Sequence, residues 1–346
     1  MSRHVLLVRL DSEGDVLLQG PAVRAVRASA GRVTFLCGPR GRQAAELLPG
    51  LDEVLVHRAP WIDPRPEPLD REETLALVER LSALELDEAI VLTSFHQSPL
   101  PTALLLRLAG VPVVAAVSPD YPGSLLDVRH DVPDDVHEVE RSLSLVAALG
   151  YRLPPGDDGA LAVEGTAPAG DLGLEPPYVV VHPGTSVPAR AWSPALHAAL
   201  VEGLAALGRS VVVTGGPGEA GLTRLVAGPS RPGVVDLGGR TTFSELAEVL
   251  AGAEAVVVGN TGPAHLAAAV GTPVVSLFAP TVPAARWRPW RVPCVLLGDQ
   301  GAPCAGSRAT TCPVPGHPCL DGVSVEDVLA ALDSLPSSRE LAEVAA

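Results

Sequence analysis

Short runs of apolar residues alternate along the chain with longer stretches in which apolar residues return at helical spacing. Val5–Leu10, Val33–Cys37, Val54–His57, Ala89–Leu92 and Val113–Val117 are apolar on both faces, as strands of a parallel sheet covered by helices should be. Val16–Ser29, Glu72–Leu84 and Pro101–Leu108 read as the helices between them, and a long helix over Asp135–Leu149 closes this half. A Pro/Gly-rich passage from Pro154 to Pro177 then interrupts the pattern, with Thr166-Ala-Pro-Ala-Gly170 inside it. The rhythm restarts with strands at Tyr178–His182, Ser210–Thr214, Val234–Leu237, Ala255–Val258 and Pro273–Phe278. Ser193-Pro194 starts a helix with a capping residue and a first-turn proline. Thr242-Phe-Ser-Glu245 has capping-box spacing. The expected organisation is an N-terminal domain over 1–165, a linker over 166–177, a C-terminal domain over 178–335 and a tail over 336–346. Two βα arrays in succession mean an α/β protein of two doubly wound, Rossmann-like domains facing a cleft, with ligands on the loops at the carboxyl ends of the strands.

A length of 346 residues suits two domains of roughly 150–170 residues each. Apolar residues make up 47% and charged residues 19%, a globular balance. The 25 basic side chains are all arginine, and against 40 Asp and Glu they leave a net charge of −15. That charge argues against a protein that coats nucleic acid or anionic lipid. The first apolar run, Val5–Val8, is cut by Arg9, Asp11 and Glu13, too short and too charged for a secretory signal. Leu266 to Ala285 is uncharged over a membrane-spanning length but contains Gly271, Pro273, Pro280 and Pro283, so it reads as a buried helix followed by a buried strand. Five cysteines make no disulfide framework. The expectation is a soluble cytoplasmic protein with at most peripheral membrane contact.

Four strand-end loops hold chemistry. In Val258-Gly-Asn-Thr-Gly-Pro-Ala-His265 a tight turn opens an apolar helix, and backbone N–H groups at such a start attract an anion. His182-Pro-Gly-Thr-Ser186 is followed by Arg190. Small residues Gly184, Thr185 and Ser186 let a ligand approach, and the guanidinium can clamp a phosphate. In Thr214-Gly-Gly-Pro-Gly-Glu-Ala-Gly221 the glycines match a dinucleotide fingerprint, with Asp236 ending a strand further on. That match makes an NAD(P)-dependent oxidoreductase one reading, and Glu219 on a ribose or base the other. In Leu10-Asp-Ser-Glu-Gly-Asp-Val16 three carboxylates crowd one loop, where repulsion can raise a carboxylate towards general-base range.

Absent motifs narrow the chemistry. There is no Asp-x-Asp pair to hold a metal against a diphosphate, a P-loop is impossible without lysine, and Gly-x-Ser-x-Gly is missing. Cys304, Cys312, His317 and Cys319 invite a structural zinc, but their spacing matches no common finger. Packed, reduced cysteines are the preferred reading.

In their order along the chain these loops resemble glycosyltransferase family 9, the heptosyltransferases. The matching tracts are Val5–Leu18 with Pro21, His137–Arg141, His182-Pro-Gly with Arg190-Ala-Trp-Ser-Pro194, Gly215–Glu219, Gly259–His265, and Gly271-Thr-Pro with Leu277–Thr281; the Cys304–Cys319 stretch also looks familial. The resemblance implies a GT-B fold, with the acceptor mainly on the first domain and the nucleotide-sugar on the second. It implies inverting transfer without a metal or other cofactor, from ADP-heptose, to a glycan or glycolipid acceptor. A different nucleotide-sugar and a natural-product acceptor form the alternative within the family. Carried over, Asp15 would be the catalytic base and Arg190 the diphosphate ligand. Glu219 would bind the nucleoside, and Asn260, Thr261, Gly262 and His265 the diphosphate and sugar. Glu13, Gln97 and His137 are acceptor-side candidates. The family usually has an aspartate where this chain has Asn260, a position suited to the donor sugar's hydroxyls. A non-catalytic sugar-nucleotide-binding relative is the remaining class, set against the presence of Asp15, Arg190 and His265.

Overall fold

The Val/Leu runs become parallel strands in the structure, a computed structural model that describes residues 3–168, 170 and 176–336. The chain divides into two units, Met1–Glu164 and Gly165–Ala346. In the first unit β1 (His4–Arg9), β2 (Arg32–Cys37), β3 (Glu53–Val56), β4 (Glu88–Val91), β5 (Val113–Val117) and β6 (Val128–His130) form one sheet. Its order is β3-β2-β1-β4-β5-β6, parallel throughout. In the second unit β7 (Tyr178–His182), β8 (Val211–Val213), β9 (Val234–Asp236), β10 (Ala253–Gly259), β11 (Val274–Leu277) and β12 (Cys294–Leu297) form another. Its order is β12-β11-β10-β7-β8-β9, again all parallel.

Counted from its own first strand, each sheet has the order 3-2-1-4-5-6. The strand order therefore reverses between β1 and β4 in one unit and between β7 and β10 in the other. Crevices at the carboxyl ends of such strand pairs are where doubly wound sheets hold ligands. Helices cover both faces of the strands, so the central strands β1 and β7 are buried at every position. Each buried Val or Leu side chain contributes about 1.5–3 kcal/mol of transfer free energy. The second unit's core also takes in Trp192, whose Nε1 donates to the Val323 carbonyl at 3.2 Å.

Several elements differ from the sequence reading. The expected helix Val16–Ser29 is two helices, Glu13–Leu17 and Gly20–Arg27. Pro21 has no N–H to continue the first helix, but it fits the first turn of a new one. Asp15 thus sits inside a helical first turn rather than in the loop. The edge strands β6 and β12 escaped the reading because they are short and only half-buried. Ser193 stands before helix Pro194–Ala206 without making a side-chain cap bond, whereas Thr242 and Glu245 do form the reciprocal capping box. In the linker, Ala167 N donates to Ser244 Oγ at 2.7 Å and Thr166 bonds Glu248. Residues 169 and 171–175 of the linker, and 337–346 of the tail, lie outside the described residues.

Candidate active site

In the first unit, the reversal point between β1 and β4 holds a polar network built on Arg9. This arginine ends β1 and is only 1% exposed. Its Nη2 donates to Asp15 Oδ1 at 3.0 Å and to Ser94 Oγ at 2.7 Å, and Nη1 donates to Glu138 Oε2 at 3.0 Å. Asp11 Oδ2 lies 2.9 Å from the same Nη2. Burial by itself would lower the Arg9 pKa, but the three carboxylates reverse this and hold it firmly protonated.

Ser94 and Gln97, on the loop after β4, complete the arrangement. Ser94 Oγ donates to Asp11 Oδ2 at 3.0 Å and Gln97 Nε2 donates to Asp11 Oδ1 at 2.7 Å. Ser12 Oγ donates to Asp15 Oδ2 at 2.7 Å. Both Asp15 oxygens are therefore oriented, while 23% of the side chain stays exposed. A fixed and partly open carboxylate is placed to take a proton from a ligand.

In the crowded loop burial raises the Asp11 pKa first, Arg9 opposes the rise, and the expected repulsion from Asp15 adds to it. Asp11 and Asp15 share Arg9 between them. Glu13 is the carboxyl lifted into the neutral range, to about 7, and the cause is burial, opposed by Arg40. Arg40 lines a cavity of about 350 Å³ together with Leu10, Pro39, Arg58, Asp63 and Arg65. These residues follow the carboxyl ends of β1, β2 and β3.

His137 is a correction. It is buried and N-caps helix Glu138–Ala148, with Nδ1 accepting from Val139 N at 3.2 Å. Turned into the fold in this way, it is a helix cap and not an acceptor-facing group. Its neighbour Glu138, which the sequence reading passed over, reaches Arg9 instead.

In the second unit the loops after β7 and β10 lie side by side. A Cβ added to Gly259, at the end of β10, would lie 3.3 Å from the Arg190 carbonyl. Arg190 is half-buried in the short turn Pro188–Arg190. Thr261 is the N-cap residue of helix Gly262–Ala269, and its side chain makes no cap bond. Asn260 and His265 are buried, while Thr261 and Gly262 are half-buried. Thr185 is half-buried, and Ser186 is exposed.

Glu219 belongs to the same group of loops. Its carboxylate accepts from Gly216 N at 2.7 Å and lies so close over Gly184 that a Cβ there would overlap it. Only glycine at 184 leaves room for that acid. Beneath it, His182 Nδ1 meets Thr214 Oγ1 at 2.9 Å, and burial lowers the imidazole pKa to about 4, so it is neutral.

The dinucleotide fingerprint does not survive as a structural feature. The loop follows β8, the second strand of its unit, and side chains at Gly218 or Gly221 would meet nothing within 4 Å. Glycine is not needed there for helix–strand packing, which is what the third position of that fingerprint requires.

The four metal-type residues near the end of the chain are likewise not a ligand set. Among the described residues no group of three or more His, Cys, Asp or Glu is placed to hold a metal ion. His317 Nε2 donates to the Ala189 carbonyl at 3.1 Å, and Cys312 Sγ donates to the Val314 carbonyl at 3.3 Å. Cys304 and Cys319 are buried against each other, and burial pushes the Cys319 thiol up to about 11. This stretch is a strap across the strand-end loops. Ala189 N donates to Thr310 O at 3.0 Å, Gly306 N to Pro280 O at 2.8 Å and Arg308 N to Thr281 O at 2.8 Å. Thr310 and His317 thus grip the turn that carries Arg190, a role that no spacing in the sequence announces.

Comparison with known proteins places this arrangement. The model of glycosyltransferase family 9 (heptosyltransferase) matches residues 74–316. Lipopolysaccharide heptosyltransferase 1 of Pseudomonas aeruginosa is 33% identical over 324 residues, covering 89% of this chain and 87% of that protein. Lipopolysaccharide heptosyltransferase 3 of Escherichia coli is 34% identical over 168 residues, and here the chain spans about half of its relative, 48%, with 46% of its own length. Among solved structures, a family 9 glycosyl transferase from Veillonella parvula superposes with a TM-score of 0.77 at 18% identity, covering 96% of both chains. E. coli ADP-heptose lps heptosyltransferase II gives 0.73 at 18% identity, covering 96% of this chain and 98% of the other. The fold is thus of the GT-B class, two Rossmann-like units. On the extent of the family match and of the Pseudomonas alignment, the chain belongs to glycosyltransferase family 9, an enzyme family of sugar transfer.

Proposed function

We propose that this enzyme moves heptose from ADP-heptose to a glycan acceptor of the lipopolysaccharide type, with inversion at the anomeric carbon and without a divalent metal. The observation that carries the reading is Asp15, held through both oxygens by Arg9 and Ser12 yet partly open. Inverting displacement needs the acceptor hydroxyl's proton removed as the new bond forms, and Asp15 is the group positioned to accept it.

Donor binding falls to the second unit. Arg190 and the N–H groups opening helix Gly262–Ala269 meet the diphosphate, and they stabilise the charge that grows on it as the glycosidic bond breaks. Glu219 accepts from the nucleoside's hydroxyls, and Asn260 and Thr261 bond those of the sugar. His265, on the first turn of the same helix, supports that end of the site. Arg40 and Arg65, on the wall of the first unit's cavity beside Asp63 and the Arg58–Glu67 ion pair, offer charged donors to an acceptor's carboxylates or phosphates. Relatives named as lipopolysaccharide heptosyltransferases support both the sugar and the acceptor class.

The test is a panel of ADP-, GDP- and UDP-sugars incubated with a truncated lipopolysaccharide core, with the anomeric configuration of the product read by NMR. Transfer from ADP-heptose with inversion is expected. Transfer only from a hexose donor, or with retention, would overturn the reading.

A further inference from the structure

We propose that helix Glu138–Ala148 aims Asp15, with Glu138 and Ser142 as positioning residues that act on it through Arg9 and Gln19. The inference rests on Asp15 being the base. Asp15 lies in a helix of only five residues, Glu13–Leu17, and so short a helix is weakly held by its own hydrogen bonds. Ser12 holds one carboxylate oxygen from within the loop. The other oxygen and the backbone are held from elsewhere.

Two chains of hydrogen bonds do this, and both start on one helix. Glu138 and Ser142 are buried four residues apart on the same face of it. Glu138 Oε2 accepts from Arg9 Nη1 at 3.0 Å, and Arg9 Nη2 donates to Asp15 Oδ1 at 3.0 Å. Arg9 Nε is buried and has no partner among the described residues. The rotation of the guanidinium is therefore set at its two terminal nitrogens, and Glu138 holds the one that Asp15 does not. Along the second chain, Ser142 Oγ donates to Gln19 Oε1, and Gln19 Nε2 donates to the Asp15 carbonyl at 2.8 Å. The first chain fixes the carboxylate and the second fixes the backbone that bears it.

The helix is itself anchored at the turn that matters. His137 Nδ1 accepts from Val139 N while Glu140 accepts from His137 N, a reciprocal cap around Glu138. The same helix packs against helix Gly20–Arg27, whose N-cap residue is Gln19. A buried Glu–Arg pair costs desolvation that apolar side chains of the same size would avoid. Stability alone therefore does not account for a carboxylate at position 138.

The experiment is single-turnover transfer from ADP-heptose to a truncated lipopolysaccharide core by the full chain, in a double-mutant cycle with Asp15→Asn. Glu138→Ala should slow transfer by about 10–100-fold, the scale on which a misplaced group loses rate. Glu138→Gln, whose amide oxygen still accepts from Arg9, should recover most of that loss, and Ser142→Ala should slow transfer by at least about 3-fold. ADP affinity and the KM for the donor should stay at the parent's values in all three, whereas a general loosening of the fold would change them too. In the Asp15→Asn background neither Glu138→Ala nor Ser142→Ala should cost anything further. Should Glu138→Ala prevent folding, Ser142→Ala carries the cycle by itself. If Asp15→Asn is slow but the folded helix variants keep the parent's rate, or if their losses multiply with that of Asp15→Asn, the proposal falls while Asp15 remains the base. An Asp15→Asn variant at the parent's rate would instead overturn the assignment of the base, and this proposal with it.

Discussion

Arg9 Nη2 lies 3.0 Å from Asp15 Oδ1, and this ion pair joins the last residue of β1 to the first turn of the helix that follows it. The pair keeps Asp15 aimed, and it links the chemistry of the loop to the stability of the sheet. Arg9 is buried among Asp11, Asp15 and Glu138, so it cannot be removed without stranding carboxylates that have lost their counter-charge.

Arg9→Met should therefore destabilise the first unit by about 3–5 kcal/mol, the scale for breaking one side of a buried ion pair. Urea unfolding followed by circular dichroism measures it. A loss under about 1 kcal/mol would mean that water reaches the network and screens it.

Arg190→Ala should weaken ADP binding by about 1.5–3 kcal/mol, the range for a hydrogen bond to a charged group. Titration calorimetry reads the change, and unchanged affinity would remove Arg190 from the donor site. His317→Ala should weaken ADP in the same direction but by less, because it only loosens the turn that Arg190 ends.

Glu13 sets a pH dependence whose sign follows from its shift. Its carboxyl titrates near 7 in the folded chain, against 4.5 for an ordinary glutamate. Between those values the folded state holds a proton that the unfolded state has released, so Glu13 subtracts stability as pH rises through this window. Glu13→Gln should gain stability relative to the parent between pH 5 and pH 8. Denaturation midpoints at the two pH values check it, and a difference that stays flat would contradict the burial assigned to Glu13.

Turnover should persist in EDTA and gain nothing from added Mg²⁺ or Mn²⁺, because Arg190 and fixed N–H dipoles take the charge that a cation would otherwise meet. Activity abolished by EDTA and restored by a divalent ion would refute this.

Much of the architecture was legible because β1 and β7 are apolar at almost every position, a pattern that only doubly covered parallel strands show. The loops bearing Asp15, Arg190, Glu219 and Asn260 stood out because each interrupts such a run with glycine, the first three with charge as well. What stayed hidden depends on partners distant in sequence. Arg9 looks like a lone polar residue ending a strand until Glu138 comes across to it, and His137 looks like a free histidine until the helix it caps is seen. The cysteine stretch resembled a ligand set because spacing says nothing of direction, and His317 points at Ala189. The edge strand β12, Cys294-Val-Leu-Leu297, is apolar throughout but only four residues long, too short a run to stand out as a strand.

Asp15→Asn tests the account most directly, since it keeps the side chain's shape and removes its basicity. Single-turnover transfer from ADP-heptose to a truncated lipopolysaccharide core should slow by roughly 10²–10⁴-fold, the range for a lost general base, while ADP binds as it does to the parent. A variant that transfers heptose at close to the parent's rate would show that Asp15 only completes the Arg9 network and that the proton leaves by another group.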